Sequence, residues 1–248
     1  MKTVLQYTMT TGAGAGTYAA TNVSVNGKTK SQATYVADKN YGITKVQIMG
    51  ANGSYITVAR DGHPGDDLNL IQQADALTDA QKMIDIYELF NQKGITLDKG
   101  EGLSMTIAVT ANATIDVFIE LDDSVSRVNG KAVRVLGSNA AVANTPVETG
   151  ALVPGGFAPS DVYRGRACYF TSTTIQNMSI GLNNKGLCVQ PGQNAILTGQ
   201  GYTKLDNKQA ELMTGTGQEY SATFEAWINA TAADAANVQI LGMIFEKN

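Results

Sequence analysis

The chain is short of the residues that build most chemical sites. Its 248 residues hold one His, two Cys and one Trp, and the four charged residue types together make up only 16%. Cys168 and Cys188 stand twenty positions apart with no CxxC partner and no nearby His, so no zinc ribbon or vicinal redox pair can be drawn from them. They read as small buried hydrophobes rather than as a disulfide. A Ser-His-Asp triad would have to use His63, and no GxSxG elbow accompanies it. Charge of one sign is also lacking. With 18 Lys+Arg against 22 Asp+Glu and a net charge of -4, the chain has no cation excess with which to coat nucleic acid. No apolar run reaches the roughly 18 residues that cross a bilayer as a helix. The start, MKTVLQYTMTTGAGAG, lacks the apolar core of a signal peptide, which implies synthesis in the cytoplasm without an anchor.

What is present is a strand pattern. An apolar fraction of 43% with low charge excludes intrinsic disorder. Val46 and Ile48 alternate with polar residues before Ala51-Asn52-Gly53, and Ile56 and Val58 alternate after it, so 45–60 is expected to form a β-hairpin. A second hairpin is expected in SRVNGKAVRVLG, turning at Asn129-Gly130. Further strands are expected at 3–9, 18–25, 103–110, 114–121, 166–171, 186–190, 194–198, 220–228 and 238–246. A dozen short strands separated by turn residues is the pattern of an all-β sandwich or barrel.

Two segments carry a helical period. In LTDAQKMIDIYELFNQKG, Ala80, Met83, Ile84, Tyr87 and Phe90 recur at three- and four-residue steps, which predicts a helix over about 78–93. Thr78 with Gln81 supplies a capping box and Gly94 the stop. KLDNKQAELM (204–213) carries a weaker period through Leu205, Leu212 and Met213. Each helix precedes a strand, a turn and a strand. Ser104 and Thr106 recur as Ser221 and Thr223 at an offset of 117 residues, so the chain reads as two halves of related topology, 1–123 and 124–248.

No catalytic constellation emerges. His63, in the turn RDGHPGDD, is expected to be an exposed loop residue. Asp61, Asp66 and Asp67 beside it miss the ligand spacing of a calcium loop. Glu101, Glu120, Asp122 and Asp123 offer the carboxylate pairs that a glycosidase needs, yet they fall at strand ends where carboxylates are ordinarily solvated. TTGAGAGT (10–17) lacks the Lys-Ser/Thr of a phosphate loop, and Trp227 falls inside an apolar strand, where packing is its expected role. The expectation is therefore no enzyme, no catalytic or cofactor-binding residues, no cofactor and no metal.

Two β-domains of about 120 residues, each with a helix before its closing strands, resemble the double jelly-roll major capsid proteins. The segments that carry the resemblance are TDAQKMIDIYELFNQKG with GLSMTIAV and TIDVFIEL, and KLDNKQAELM with YSATFEAW and VQILGMIF. That family includes the coat proteins of tailless, membrane-containing viruses such as tectiviruses and corticoviruses, and the adenovirus hexon. The resemblance implies an all-β fold of two consecutive jelly-roll sandwiches. It also implies a homotrimer whose six barrels form a pseudo-hexagonal block of an icosahedral virion shell. The implied partners are neighbouring capsomers, penton or minor capsid proteins and an internal membrane, with no direct contact to nucleic acid. In such a block the termini lie near the inner face, and the long connections 60–76 and 137–160 are expected to face outward. The residues themselves leave two other readings open: a carbohydrate-binding β-sandwich module or phage spike, and a secreted β-sandwich hydrolase.

Overall fold

Strands dominate the computed structural model, which describes residues 1–10, 14–49, 53–71, 83–109, 114–136, 147–152, 163–170, 175–182, 185–190, 203–204, 224–230 and 240–247. Met1–Lys131 and Ala132–Asn248 are two compact units.

The first unit contains β1 (Lys2–Thr10), β2 (Gly16–Ala19), β3 (Val23–Val25), β4 (Lys28–Lys30), β5 (Tyr35–Val36), β6 (Tyr41–Met49), β7 (Gly53–Arg60) and β8 (Leu68–Ile71). It continues with β9 (Met83–Asp85), α1 (Ile86–Leu89), β10 (Lys93–Leu97), β11 (Gly102–Val109) and β12 (Thr114–Asp122). One sheet face runs β4-β3-β1-β12-β6-β10, and the other runs β2-β11-β7-β8. β9 and β10 take successive stretches of the same edge of β6, and β5 and β2 do the same on β11. Counting the eight principal strands in chain order, the faces read first-eighth-third-sixth and second-seventh-fourth-fifth. That connectivity is a jelly roll.

The inner surface follows from period-two alternation. Leu5, Tyr7 and Met9 on β1, Ile115 to Leu121 at every second position on β12, and Ile43, Val46 and Ile48 on β6 are buried on one side. Ile56 and Val58 on β7, Leu68 and Leu70 on β8, and Leu103, Met105 and Ile107 on β11 are buried on the other. The Tyr7 hydroxyl donates to the Leu103 carbonyl at 2.8 Å, joining the two sheets through the core, and burial pushes that phenol up from its ordinary pKa. On the outer edge, β4 presents three exposed residues, Lys28, Thr29 and Lys30, and its two lysines discourage a further strand from adding there.

The second unit repeats the connectivity. β13 (Ser126–Leu136) crosses the division between the units. It is followed by β14 (Val147–Leu152), β15 (Tyr163–Phe170), β16 (Ile175–Leu182), β17 (Lys185–Gln190), β18 (Thr203–Lys204), β19 (Phe224–Ala230) and β20 (Ile240–Lys247). β13 pairs β20, β20 pairs β15 and β15 pairs β18, while the other sheet runs β14-β19-β16-β17. These again are first-eighth-third-sixth and second-seventh-fourth-fifth. The chain is all-β and holds two consecutive jelly rolls.

Three expectations change. Residues 45–60 form two strands as expected but no hairpin: β6 is flanked by β12 and by β9 and β10, and β7 by β11 and β8. The physical reason is that both strands bury an apolar row, and the rows face each other from opposite sheets. Asn129-Gly130 is no turn either, but the middle of the continuous strand β13. Of the helix expected over 78–93, the described part, 83–93, holds a single helical turn. Met83–Asp85 instead pair with β6, opposite Gln47, Val46 and Lys45, where an open sheet edge offers hydrogen bonds and burial for Ile84. The Asp85 side chain caps α1 by accepting from the Glu88 amide at 3.0 Å, and Asn91 and Gln92 end it with φ of 53° and 66°. Residues 72–82, the strand expected at 194–198 and, apart from Lys204 in β18, the helix expected at 204–213 lie outside the described residues, as do Ser221 and Thr223.

Candidate functional site

One end of the first unit concentrates its polar chemistry. Antiparallel pairing sets Lys2 opposite Asp122, Tyr41 opposite Leu97 and Arg60 opposite Leu103. The turns 61–67 and 98–101 and the segment 37–40 therefore gather at the end that also holds Lys2 and Asp122. The expectation that 60–76 faces away from the amino terminus fails for its described part, because strand direction alone assigns that turn to the terminus end. Residues 137–146 and 153–160 lie outside the described residues, and 147–152 are strand β14.

Arg60 closes the inside of this end. It follows Ile56 and Val58 in the inward row of β7, so its side chain enters the core; the residue is only 2% exposed. Nη1 donates to the Thr96 carbonyl at 2.7 Å, and Nη2 to the carbonyls of Asp66 at 2.6 Å and Gly130 at 2.7 Å. Nε is buried with no partner among the described residues. Lys131 lies beside it, its Nζ donating to the Gly65 carbonyl at 2.9 Å and standing 3.8 Å from Asp66 Oδ1. Asp66 thus turns to Lys131 rather than joining Asp61 and Asp67 around an ion. Burial holds the Asp67 carboxyl above the ordinary carboxylate range.

Above Arg60, three potential ligands converge. His63 is half-buried, with its side chain 18% exposed rather than free in solvent, because the turn folds back on the β10–β11 connection. Its Nε2 lies 3.9 Å from Asp98 Oδ2 and 3.8 Å from Glu101 Oε2. Glu101 is not solvated as its strand-end position implies. Oε1 accepts from the Gly62 amide at 2.9 Å and Oε2 from the Asp98 amide at 2.8 Å, which exchanges water for two backbone donors and allows burial. Arg127 Nη1 donates to Asp98 Oδ1 at 2.6 Å. The sequence carries one signal for this cluster, the acidic pair at 98 and 101 flanking a Lys-Gly turn, but nothing local links that turn to His63.

The other carboxylates are committed elsewhere. Glu120 Oε1 accepts from Lys2 Nζ and from Thr44 Oγ1, both at 2.9 Å. Asp122 accepts from the Ser124 amide at 2.9 Å and its hydroxyl at 2.6 Å, and Asp123 pairs with the Met1 amine and with Lys39 at 3.0 Å. Lys2, Lys45, Asp85, Glu120 and Asp122 line an open cleft of about 550 Å³ in which Lys45 pairs with Asp85 at 3.5 Å. A glycosidase needs two carboxylates facing one bond across open space. These are instead held by hydroxyls, amides and cations of their own chain. In the second unit, Arg166 on β15 and Glu246 on β20 form a buried ion pair, Nε to Oε2 at 2.7 Å. Cys168 lies on β15, Cys188 on β17 and Trp227 on β19, all in strands. The 10–17 segment leads into strand β2 rather than into a helix.

These pairs imply a pH dependence. The Ser124 hydroxyl and amide hold the Asp122 carboxyl below the usual range, the Met1 amine does the same for Asp123, and the Tyr41 hydroxyl does so for Asp38. A depressed folded pKa stabilises the fold above the unfolded value and loses that stabilisation as the pH falls through the folded one. Thermal melting should therefore be level near neutrality and decline below about pH 4. Asp122→Asn should flatten that decline; an unchanged acid limb would show that the pair contributes nothing.

No family model and no curated protein matches the chain. Solved structures do. The chain is similar to the major capsid protein P2 from bacteriophage PM2, with 11% identity and a TM-score of 0.44 over 100% of this chain and 97% of that one. It is similar to the STIV MCP, with 8% identity and a TM-score of 0.42 over 98% and 96%. A chain in the atomic structure of Sulfolobus Turreted Icosahedral Virus aligns at 9% identity and a TM-score of 0.37 over 98% and 90%. Over essentially its whole length, then, the chain is similar to chains from two viral capsids.

Proposed function

We propose that the chain is the major structural protein of a viral shell and works as a homotrimer. The observation that carries this reading is the repetition, in both halves of one chain, of the same eight-strand connectivity. Jelly rolls serve as capsid and as lectin domains. A carbohydrate-binding module needs one jelly roll and an open polar face, and the charges lining the cleft described on the first unit are paired with one another. A tiling block gains from the duplication. Unlike edges on two similar barrels make heterologous contacts, and three copies placed around an axis close them into a ring of six barrels. Low charge suits contacts of this kind, because the centres of protein interfaces are depleted in charged residues.

On this reading the protein is not an enzyme, and its partners are other copies of itself, neighbouring capsomers and the minor proteins at shell vertices. A membrane inside the shell is compatible with the weak net negative charge, which supplies no cation excess for genome contact. The domain division proposed for assembly is one barrel per half, 1–123 and 124–248. Sedimentation or mass photometry of purified protein should give about three times the chain mass of 26.1 kDa. A stable monomer at high concentration that binds glycans on an array would overturn this reading in favour of a carbohydrate-binding module.

A further inference from the structure

We propose that His63, Asp98 and Glu101 form a binding site for one divalent cation of the zinc class. The donor atoms all lie within 4.8 Å of one another. At 3.8 and 3.9 Å, His63 Nε2 is beyond hydrogen-bond reach of both carboxylate oxygens, so the groups face each other across a gap instead of satisfying one another. Two donors about 2.1 Å from a tetrahedral ion stand about 3.4 Å apart, so the two edges from His63 need to close by about half an ångström, and the Asp98–Glu101 edge, within 4.8 Å, by no more than about 1.4 Å.

The surroundings orient all three toward that gap. Arg127 holds Asp98 by Oδ1, which leaves Oδ2 toward His63. The Gly62 and Asp98 amides grip Glu101 by one hydrogen bond on each oxygen, fixing the carboxylate plane while leaving Oε2 a lone pair. Such outer hydrogen bonds are what pre-orient metal ligands. The His63 ring is largely removed from water, yet neither of its nitrogens makes a hydrogen bond among the described residues. A cation would satisfy it. The donor set selects the class: calcium and magnesium take oxygen ligands, whereas an imidazole with carboxylates suits zinc. Three protein ligands leave one position for water. The ion would tie the β7–β8 turn to the β10–β11 turn, within the first unit, and the proposal does not depend on the chain building a shell.

The test titrates the full chain, stripped with chelator, with zinc chloride and separately with calcium chloride in a calorimeter. Wild type, His63→Ala and Asp98→Asn are compared, the last altering a side chain that is 54% exposed and so sparing the core. One zinc per chain is expected, with affinity lowered at least about tenfold in each variant and a zinc-dependent rise in melting temperature that both variants lose. Absence of saturable binding at micromolar zinc would overturn the proposal. So would equal zinc binding in all three proteins, or a preference for calcium.

Discussion

Arg60→Ala is expected to destabilise the first unit by about 4 kcal/mol or more. The guanidinium satisfies three carbonyls, from Thr96, Asp66 and Gly130, which belong to three separate segments of chain at the same end of the barrel. Removing it leaves those acceptors facing a void in a region closed to water, and each buried unsatisfied group costs about 1–3 kcal/mol. Arg60→Lys should recover little, because one ammonium cannot reproduce the planar fork that reaches all three. Urea unfolding followed by circular dichroism should show loss of β-signal beginning at lower denaturant in both variants. A loss under about 1 kcal/mol for Arg60→Ala would mean that the arginine is not the closing bolt of this barrel end.

Gly94→Ala is expected to be damaging as well, for a steric reason. A Cβ there would stand 2.6 Å from Gly42 Cα and 2.8 Å from its carbonyl carbon, and at Gly42 the clash would be with Val125 Cγ2 at 2.6 Å and Gly94 Cα at 3.0 Å. The obstacle at Gly94 is backbone, so no rotamer change relieves it. β6 and β10 are hydrogen-bonded along this stretch, Thr96 opposite Gly42 and Ile95 opposite Ile43, and pushing them apart breaks the ladder. Overpacking of this kind costs about 1–3 kcal/mol. Gly94→Ala that melts with wild type would show that the two strands are not in this close register.

The strands were readable because alternation of apolar and polar residues states both the period and the inner face. Arg60 continues the inward row after Ile56 and Val58, but its charge and the turn residues that follow it assigned it to the connection 60–76. Partners were not, since a jelly roll pairs strands that are distant in sequence: β1 pairs with β12, Lys2 opposite Asp122. The tetrapeptide Val-Asn-Gly-Lys makes the point sharply, because it occurs twice. At 25–28 it is a tight turn joining β3 to β4, with Asn26 and Gly27 at φ of 48° and 78°. At 128–131 it lies extended within β13, where Gly130 accepts from Arg60 and Lys131 is buried. The same turn propensity yields to tertiary pairing in one place and prevails in the other. His63 and Glu101 were misjudged for a related reason. Their burial comes from one turn lying over another, and neither turn announces the other in sequence.

On the proposed function, two like barrels in one chain let three chains close into a six-barrel block. Electron microscopy of the purified protein at micromolar concentration tests it most directly. Particles with three chains, whose end-on views show a ring of six similar lobes, are the expected result. Particles of one or two chains, with two or four lobes and no closed ring, would contradict it.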